Sequence, residues 1–233
     1  MLSRASVFVY LILAFTALAD AQTTIFNIPS AETLQKASVN VEADFLTKPA
    51  KYSEGGYQTY GYRIAYGVTN KTEIGSNFYL TRSGDGSTAD VEFSVKRNLY
   101  QNEKHAISVS AGAIAFVPLH DHLGDRTSVL AYGNVSRTVK QLGGMTATAG
   151  VYHVFYGLND FGTRTGAMLG IVQPVKGRVS FVADWFSGHN RFGYASAGIN
   201  VNITKRQYIL AGYSFGNSGR GNNALAVYYG VTF

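Results

Sequence analysis

The chain has 233 residues, of which 46% are hydrophobic, with a formal net charge of +6 and no cysteine. The lack of cysteine excludes disulfides, thiolate metal sites and a lipid-modified N-terminal cysteine. The basic residues are scattered over predicted turns and loops, which argues against nucleic-acid binding. The 26 glycines, 16 tyrosines and 14 phenylalanines, against 4 prolines, favour a chain built from strands.

Residues 1–21 have the pattern of a cleaved signal peptide. Arg4 precedes an apolar run at residues 7–18, and Ala19-Asp20-Ala21 is the small-x-small triplet that signal peptidase cuts. That run is shorter than the about 20 residues that a spanning helix needs. We therefore expect export and a mature chain that starts at Gln22. No longer apolar run follows, so we expect that only a closed barrel could carry this chain across a bilayer.

Residues 22–36 form a polar lead-in that we predict to be a periplasmic N-terminal segment. Ser30 could cap one short helical turn within it. The sequence leaves open a second arrangement, in which the segment folds back into the barrel as a plug.

Alternation of polar and apolar residues begins at residue 37 and continues to the last residue, 233. In the first predicted strand the apolar face carries Val39, Val41, Ala43 and Phe45, and the polar face carries Ser38, Asn40, Glu42 and Asp44. This repeat is typical of a strand that lies between an apolar and a polar phase. The same pattern predicts twelve strands, at residues 37–46, 57–69, 72–82, 89–96, 105–117, 127–138, 145–156, 165–173, 178–187, 193–203, 207–216 and 223–233.

An even number of strands with short connections predicts an all-β fold, a closed antiparallel up-and-down transmembrane β-barrel over residues 37–233. Both phases are apolar in the strands near residues 105, 127 and 207, so their inward faces stay undecided. A secreted β-sandwich also has alternating strands. The aromatic residues favour the membrane barrel, because many of them lie on apolar phases near strand ends, as membrane girdles require.

The last strand is aromatic and alternating and ends in Phe233. It resembles the C-terminal signal of Gram-negative outer-membrane β-barrels, which the barrel assembly machinery reads. Residues 182–194 also resemble a strand-loop-strand segment of uncharacterised porin-like members of that class. The resemblance implies a location in the bacterial outer membrane, with membrane lipids, lipopolysaccharide and the assembly machinery as partners. It carries no known activity and leaves the oligomeric state open.

Charged residues within the strands fall on polar phases and should point into the lumen. The predicted pore-lining residues are Glu42, Asp44, Arg63, Glu73, Asp90, Glu92, Lys96 and Asp184, with Arg178 as a further base. The excess of acids indicates an ion or solute path with a weak cation preference. Equally, ion pairs such as Arg63 with Glu42 or Asp44, and Lys96 with Asp90 or Glu92, could plug the interior.

Other candidate chemistry is weak. Ser187 and His189 lie close in sequence, but their order is the reverse of the His-then-Ser motif of outer-membrane phospholipases. His120 and His122 could bind a metal, although a solvated loop explains them better. We expect no catalytic residues, no metal and no cofactor. Arginines near predicted outer strand ends could pair with lipopolysaccharide phosphates; these are Arg82, Arg126, Arg164, Arg191 and Arg220.

Together these features predict an outer-membrane barrel that acts as a small passive channel for ions or small solutes. Two alternatives remain open, a non-conducting structural or adhesion barrel and a lipid-active hydrolase.

Overall fold

The computed structural model describes residues 23–119, 126–156, 161–219 and 223–233. The predicted signal peptide, residues 1–21, lies outside the described residues, as do His120, His122 and Arg220.

Twelve antiparallel strands form one closed barrel, as the alternation predicts. They are β1 (Val39–Lys48), β2 (Tyr57–Thr69), β3 (Thr72–Ser83), β4 (Gly86–Asn102), β5 (Ile107–Pro118), β6 (Ser128–Val139), β7 (Met145–Tyr156), β8 (Thr165–Lys176), β9 (Val179–Phe186), β10 (Tyr194–Asn202), β11 (Gln207–Gly216) and β12 (Ala224–Thr232). Two single 3₁₀ turns, Tyr52–Glu54 and Lys140–Leu142, lie in connections between strands. Each strand pairs with its chain neighbours, so the topology is up-and-down throughout.

The first and last strands close the barrel. β1 pairs with β12 in a register that places Glu42 opposite Gly230 and Asp44 opposite Tyr228. Beyond the last paired residues, Val39 N donates to Phe233 O at 3.2 Å and Phe233 N donates to Val39 O at 2.8 Å. No strand edge is left unpaired, which is the condition for a sheet that crosses hydrocarbon.

The outer face of the barrel is apolar. Tyr62, Phe93 and Val151 are 63%, 55% and 64% exposed, and they alternate along their strands with less exposed residues. Large apolar side chains in such numbers on one continuous surface require a lipid environment. The chain is therefore a transmembrane barrel of the outer-membrane type. Within the described residues no helix is both long and apolar enough to span a bilayer.

The structure decides the three strands whose faces the sequence left open. In β5, β6 and β11 the even-numbered residues point inward; the buried ones are Ser108, Ser110, Phe116, Ser128, Leu130, Tyr132, Asn134, Ser136, Tyr208, Leu210 and Ser214. These strands looked ambiguous because their inward faces mix apolar and polar side chains. The closed register fixes their parity, since a shift of one residue would exchange the two faces.

Two local expectations differ from the structure. β4 is longer than predicted at both ends: it starts at Gly86, with a φ of +112°, after a tight turn at Gly84 and Asp85, and it stays paired with β5 as far as Asn102. The predicted helical turn at Ser30 is wrong: Ser30 N instead donates to Thr23 O at 3.1 Å within a hairpin. A β-bridge between Thr24 and Pro29 gives this segment extended rather than helical backbone.

The lipid-facing assignment predicts a depth-dependent penalty for charge. Val151 lies at the middle of β7, so Val151→Arg should destabilise the folded barrel by ~2–4 kcal/mol. Urea unfolding in phospholipid vesicles measures this change, with Val151→Leu as the matched control. A Val151→Arg barrel as stable as the control would contradict the membrane placement of this face.

Candidate functional site: the barrel interior and its N-terminal hairpin

A short hairpin at residues 23–30, the N-terminal hairpin, lies inside the barrel. Ile25 N donates to Ile28 O at 2.9 Å, which leaves Phe26 and Asn27 at the tip. Asn27 suits a turn, and Pro29 favours extended backbone at the residue before it. Of the two arrangements left open for this segment, a periplasmic extension and a plug, the structure has the plug.

The apolar side chains of the hairpin form one cluster with the barrel wall. Ile25, Phe26 and Ile28 are almost completely buried. The buried wall residues of this cluster are Phe116, Leu130, Tyr132, Tyr152, Val154, Met168, Val182, Phe186, Leu210, Ala226 and Tyr228. The hairpin therefore completes a hydrophobic core that the wall alone leaves open.

Asp184 holds the tip of the hairpin from β9. Its Oδ2 atom accepts hydrogen bonds from the backbone N–H groups of Phe26 at 3.2 Å, of Ile28 at 2.8 Å and of Asn27. The Asn27 side chain donates to Ser196 Oγ at 2.8 Å and accepts from the Tyr228 hydroxyl at 3.1 Å. Three N–H groups thus converge on one oxygen of a buried carboxylate, and hydrogen bonds to a charged acceptor are the stronger ones, whereas its Oδ1 atom is buried without a hydrogen-bond partner among the described residues.

Wall side chains also bind the backbone on either side of the tip. Asn134 Nδ2 donates to Pro29 O at 2.7 Å, and Asn98 Nδ2 donates to Ala31 O at 3.1 Å. Lys96 Nζ donates to Thr23 O at 3.1 Å. Further along the chain, Leu34 N donates to Glu73 Oε2 at 2.9 Å. The plug is thus held by side chains of the wall.

A second group of charges pairs within the wall itself. Arg63 Nη1 lies 2.6 Å from Glu42 Oε1 and 3.8 Å from Asp44 Oδ2. Tyr79 donates to Asp44 at 3.0 Å, and the Tyr208 hydroxyl donates to Glu42. The predicted pairing of Arg63 with both acids is confirmed, so two buried carboxylates share one guanidinium cation and each accepts a hydrogen bond from a tyrosine hydroxyl.

The remaining predicted pore-lining residues are distributed along the interior. Lys96 pairs with Glu73 at 3.0 Å, across the β3–β4 ladder, and not with the acids of its own strand. Glu92 accepts a hydrogen bond from Asn77 at 2.7 Å, and Asp90 lies two residues before it on the same inward face. The structure therefore brings together Glu42, Asp44 and Arg63 in one group and Glu73 and Lys96 in another, and it keeps Asp184 apart from both.

A small cavity lies beside the hairpin, against the charged side of the wall. Its volume is about 50 Å³, enough for a few water molecules but not for a larger solute. Its lining includes Thr23, Glu42, Arg63, Glu73 and Lys96, so both groups of ion pairs border it.

Aromatic side chains fill the interior at the end of the barrel opposite Val39 and Phe233. Phe192, from the β9–β10 loop, lies 4.9 Å from Phe116 and 6.2 Å from Phe186 between ring centroids. The Arg191 guanidinium stacks over Phe116 and Phe192, 4.8 and 4.9 Å from their ring centroids. Arg191, which the sequence suggested as a lipopolysaccharide contact, therefore covers this aromatic cluster.

Ser187 and His189 have separate partners. Ser187 Oγ accepts a hydrogen bond from Ala167 N at 2.7 Å, whereas His189 Nδ1 pairs with Ser218 Oγ at 2.8 Å. Among the described residues, no group of three His, Cys, Asp or Glu side chains could hold a metal ion.

Sequence reasoning missed the uncharged residues that bind the hairpin, above all Asn98, Asn134 and Ser196. Each lies on the inward phase of its strand, and the apolar stretch from Ile25 to Ile28 in an otherwise polar lead-in was the accompanying signal. Neither pattern by itself shows which wall residue meets which hairpin atom.

Comparisons with known proteins show the fold. No family model matches the chain, and no curated protein matches it. An outer-membrane channel from Pseudomonas putida F1 is similar in structure, with a TM-score of 0.57, 14% identity, and coverage of 88% of this chain and 98% of that one. Outer membrane phospholipase A from Escherichia coli has a TM-score of 0.51 at 12% identity, covering 84% of this chain and 92% of that one. The Acinetobacter baumannii outer membrane protein Omp33 has a TM-score of 0.50 at 10% identity, covering 85% and 98%.

The buried charge group predicts an uneven mutational response. Arg63→Met should destabilise the barrel by ~3–5 kcal/mol, because it leaves Glu42 and Asp44 buried without their cation. The triple variant Glu42→Gln, Asp44→Asn, Arg63→Met should recover most of that loss. Urea unfolding of the refolded chain measures both, and a triple variant no more stable than the single one would contradict the pairing.

Proposed function

We propose that this outer-membrane barrel is a small passive channel for ions or small solutes, and that the N-terminal hairpin holds it closed. The main support for the proposal is the set of contacts by which the barrel wall binds the hairpin. It occupies the lumen, yet side chains of the wall bind its backbone, and none of the twelve strands pairs with it as a neighbour.

Such a plug can leave without breaking the barrel. The strand ladder is closed without the hairpin, so removal of the hairpin costs its own contacts and no backbone pairing of the wall. The groups left behind include Asp184, Asn98, Asn134 and Lys96, which water or a polar solute can solvate in place of the hairpin backbone. A twelve-stranded barrel is wider than the small barrels whose interior is filled by side chains, and it is narrower than porins. Removal of the hairpin would therefore leave a narrow path.

The charge of the lumen favours cations. Six of the eight pore-lining residues are acids, and the two bases, Arg63 and Lys96, are already paired with Glu42 and Glu73. Carboxylate-rich constrictions select cations. The structural likeness to a protein described as an outer-membrane channel agrees with this proposal.

The other two functions have less support. A non-conducting structural barrel explains the wall ion pairs and the apolar packing of the hairpin, but it gives no reason for hairpin contacts to polar groups that water can replace. A hydrolase would need Ser187 and His189 to act together, and they bond elsewhere. We therefore propose that the chain is not an enzyme. We also propose that lipopolysaccharide contacts Arg82, Arg126 and Arg164, and that the assembly machinery reads the last strand up to Phe233.

Planar-bilayer recording of refolded residues 22–233 tests the channel. We expect the wild-type chain to be closed most of the time, and Asp184→Asn to raise the open probability, because the charge that holds the hairpin tip is lost. Deletion of residues 22–30 should give stable openings. Heat-modifiable migration on gels checks that each variant is folded. A folded deletion variant without conductance would contradict the proposal.

A reversible cross-link provides a sharper control in a chain that has no cysteine of its own. Asn27 and Ser196 touch through their side chains, so Asn27→Cys with Ser196→Cys can be bridged by a short bis-methanethiosulfonate reagent, which forms one reducible disulfide with each thiol and releases methanesulfinate. The bridged channel should stay closed, and reductant should restore the openings. Openings that persist at full cross-linking would show that ions do not pass where the hairpin sits.

Reversal potentials in a salt gradient test the cation preference. Glu42→Gln with Asp44→Asn removes two lumen carboxylates and frees the Arg63 charge, so selectivity should move towards anions. The matched control is Glu54→Gln, in the connection between β1 and β2 at 60% side-chain exposure, which should leave the reversal potential unchanged. Equal potentials in all three proteins would contradict a path along β1.

A further inference from the structure

The tip of the N-terminal hairpin occupies a shaped recess in the barrel wall. The Phe26 ring is fully buried and lies against Gly198 and Gly212, where an added Cβ atom would come within 2.8 and 2.6 Å of the ring. Tyr228 closes one side with an edge contact, 5.5 Å between ring centroids at 65°. A side chain at either glycine would therefore clash with the Phe26 ring, and the recess can hold the ring only because both residues lack one.

Glycine at these two positions is unusual for the interior of a strand. Gly198 and Gly212 are directly paired across β10 and β11, and glycine in a strand interior costs stability. An added Cβ atom at either glycine would meet both the backbone of the paired strand and the Phe26 ring, so these two inward-facing glycines let the ring lie close to the wall. A neighbouring glycine, Gly170, gives the same close approach to Ile25 and Ile28.

A carboxylate faces the same recess. Asp184 is only 5% exposed, and no ion pair among the described residues includes it. Its compensation comes from hydrogen-bond donors of the hairpin, the backbone N–H groups of Phe26, Asn27 and Ile28. When the hairpin leaves, this carboxylate needs a cation or a cluster of donors in their place.

The geometry points to a binding site for aromatic amines in the cationic form. A ring would take the place of Phe26 over Gly198 and Gly212, and an ammonium group would replace the hairpin N–H donors at Asp184. The hairpin is then a resident competitor for this site. The inference rests on the proposed channel, whose solute class it names, because a solute can reach the recess only when the hairpin moves aside.

The site should reject close relatives of such a solute. An aromatic carboxylate would bring a second negative charge to a buried one, which is unfavourable at short range. An alkylammonium ion satisfies Asp184 but leaves the ring recess empty, and it loses the apolar contact area. Ring and positive charge are both required, which distinguishes this site from a general cation path.

Binding of 2-phenylethylammonium to refolded residues 22–233 tests the inference by isothermal titration calorimetry in detergent. The comparison ions are 3-phenylpropionate, which keeps the ring and reverses the charge, and n-propylammonium, which keeps the charge and lacks the ring. In Phe26→Ala the competing ring is gone, so we expect phenylethylammonium to bind about 10-fold or more tightly than in wild type. The affinity of neither comparison ion should rise to the same degree in Phe26→Ala.

Second-site changes in the Phe26→Ala background locate the bound ion. Asp184→Asn should weaken phenylethylammonium binding by about 10-fold, the factor expected for one charge-assisted contact. Gly212→Ala should weaken it as well, because the new methyl group enters the ring position. The matched control is Phe93→Ala, a lipid-facing aromatic residue, which should leave binding unchanged. If Phe26→Ala does not refold, Phe26→Leu supplies the background.

The outcomes separate this inference from the channel proposal. Phenylethylammonium binding that depends on both Asp184 and the glycine recess supports the site. If the bilayer recordings show no conductance as well, only the channel proposal is contradicted. Conduction without preference for phenylethylammonium over n-propylammonium overturns the site and leaves the channel intact. Unchanged affinity in Asp184→Asn also overturns it.

Discussion

The closed hydrogen-bonded ladder is the constraint on which the rest of this structure depends. Hydrocarbon offers no partner to a backbone N–H or C=O group, so every strand needs two neighbours, and β1 must meet β12. Closure fixes the register, and the register fixes which residues face lipid and which face the interior. Polar and charged side chains then collect inside, because the outer face is the one that lipid covers.

The interior of twelve strands creates the second requirement, which is to fill or to use the enclosed space. Tyrosines cross part of it where glycines make room. Tyr79 packs over Gly61 to reach Asp44, and Tyr208 packs over Gly230 to reach Glu42. Side chains alone leave a gap on the apolar side, and the N-terminal hairpin fills it with Phe26 and its flanking isoleucines. The same hairpin therefore completes the packing of the interior and occupies the lumen.

The buried charges form two groups, according to whether their partners belong to the wall or to the N-terminal segment. Glu42 and Asp44 share the Arg63 cation within the wall, whatever the hairpin does. Asp184 relies on donors from the hairpin, and Lys96 and Glu73 bind the N-terminal segment in addition to each other. The first group stabilises the barrel, whereas the second makes the position of the hairpin depend on lumen charge. This division is the physical basis of the closed state that we propose, with which solutes or ions would compete.

The sequence by itself determined the membrane barrel, the twelve strands and the inward placement of charges such as Glu42 and Arg63, because a two-residue repeat between lipid and lumen is local and strong. Strands with mixed inward faces, such as β5 and β11, carried no such repeat, and only closure decided their parity. The tertiary structure alone placed Phe26 in its recess and chose Glu73 over Asp90 as the partner of Lys96. Those contacts join residues far apart in the chain, and their geometry exists only once the ladder has closed.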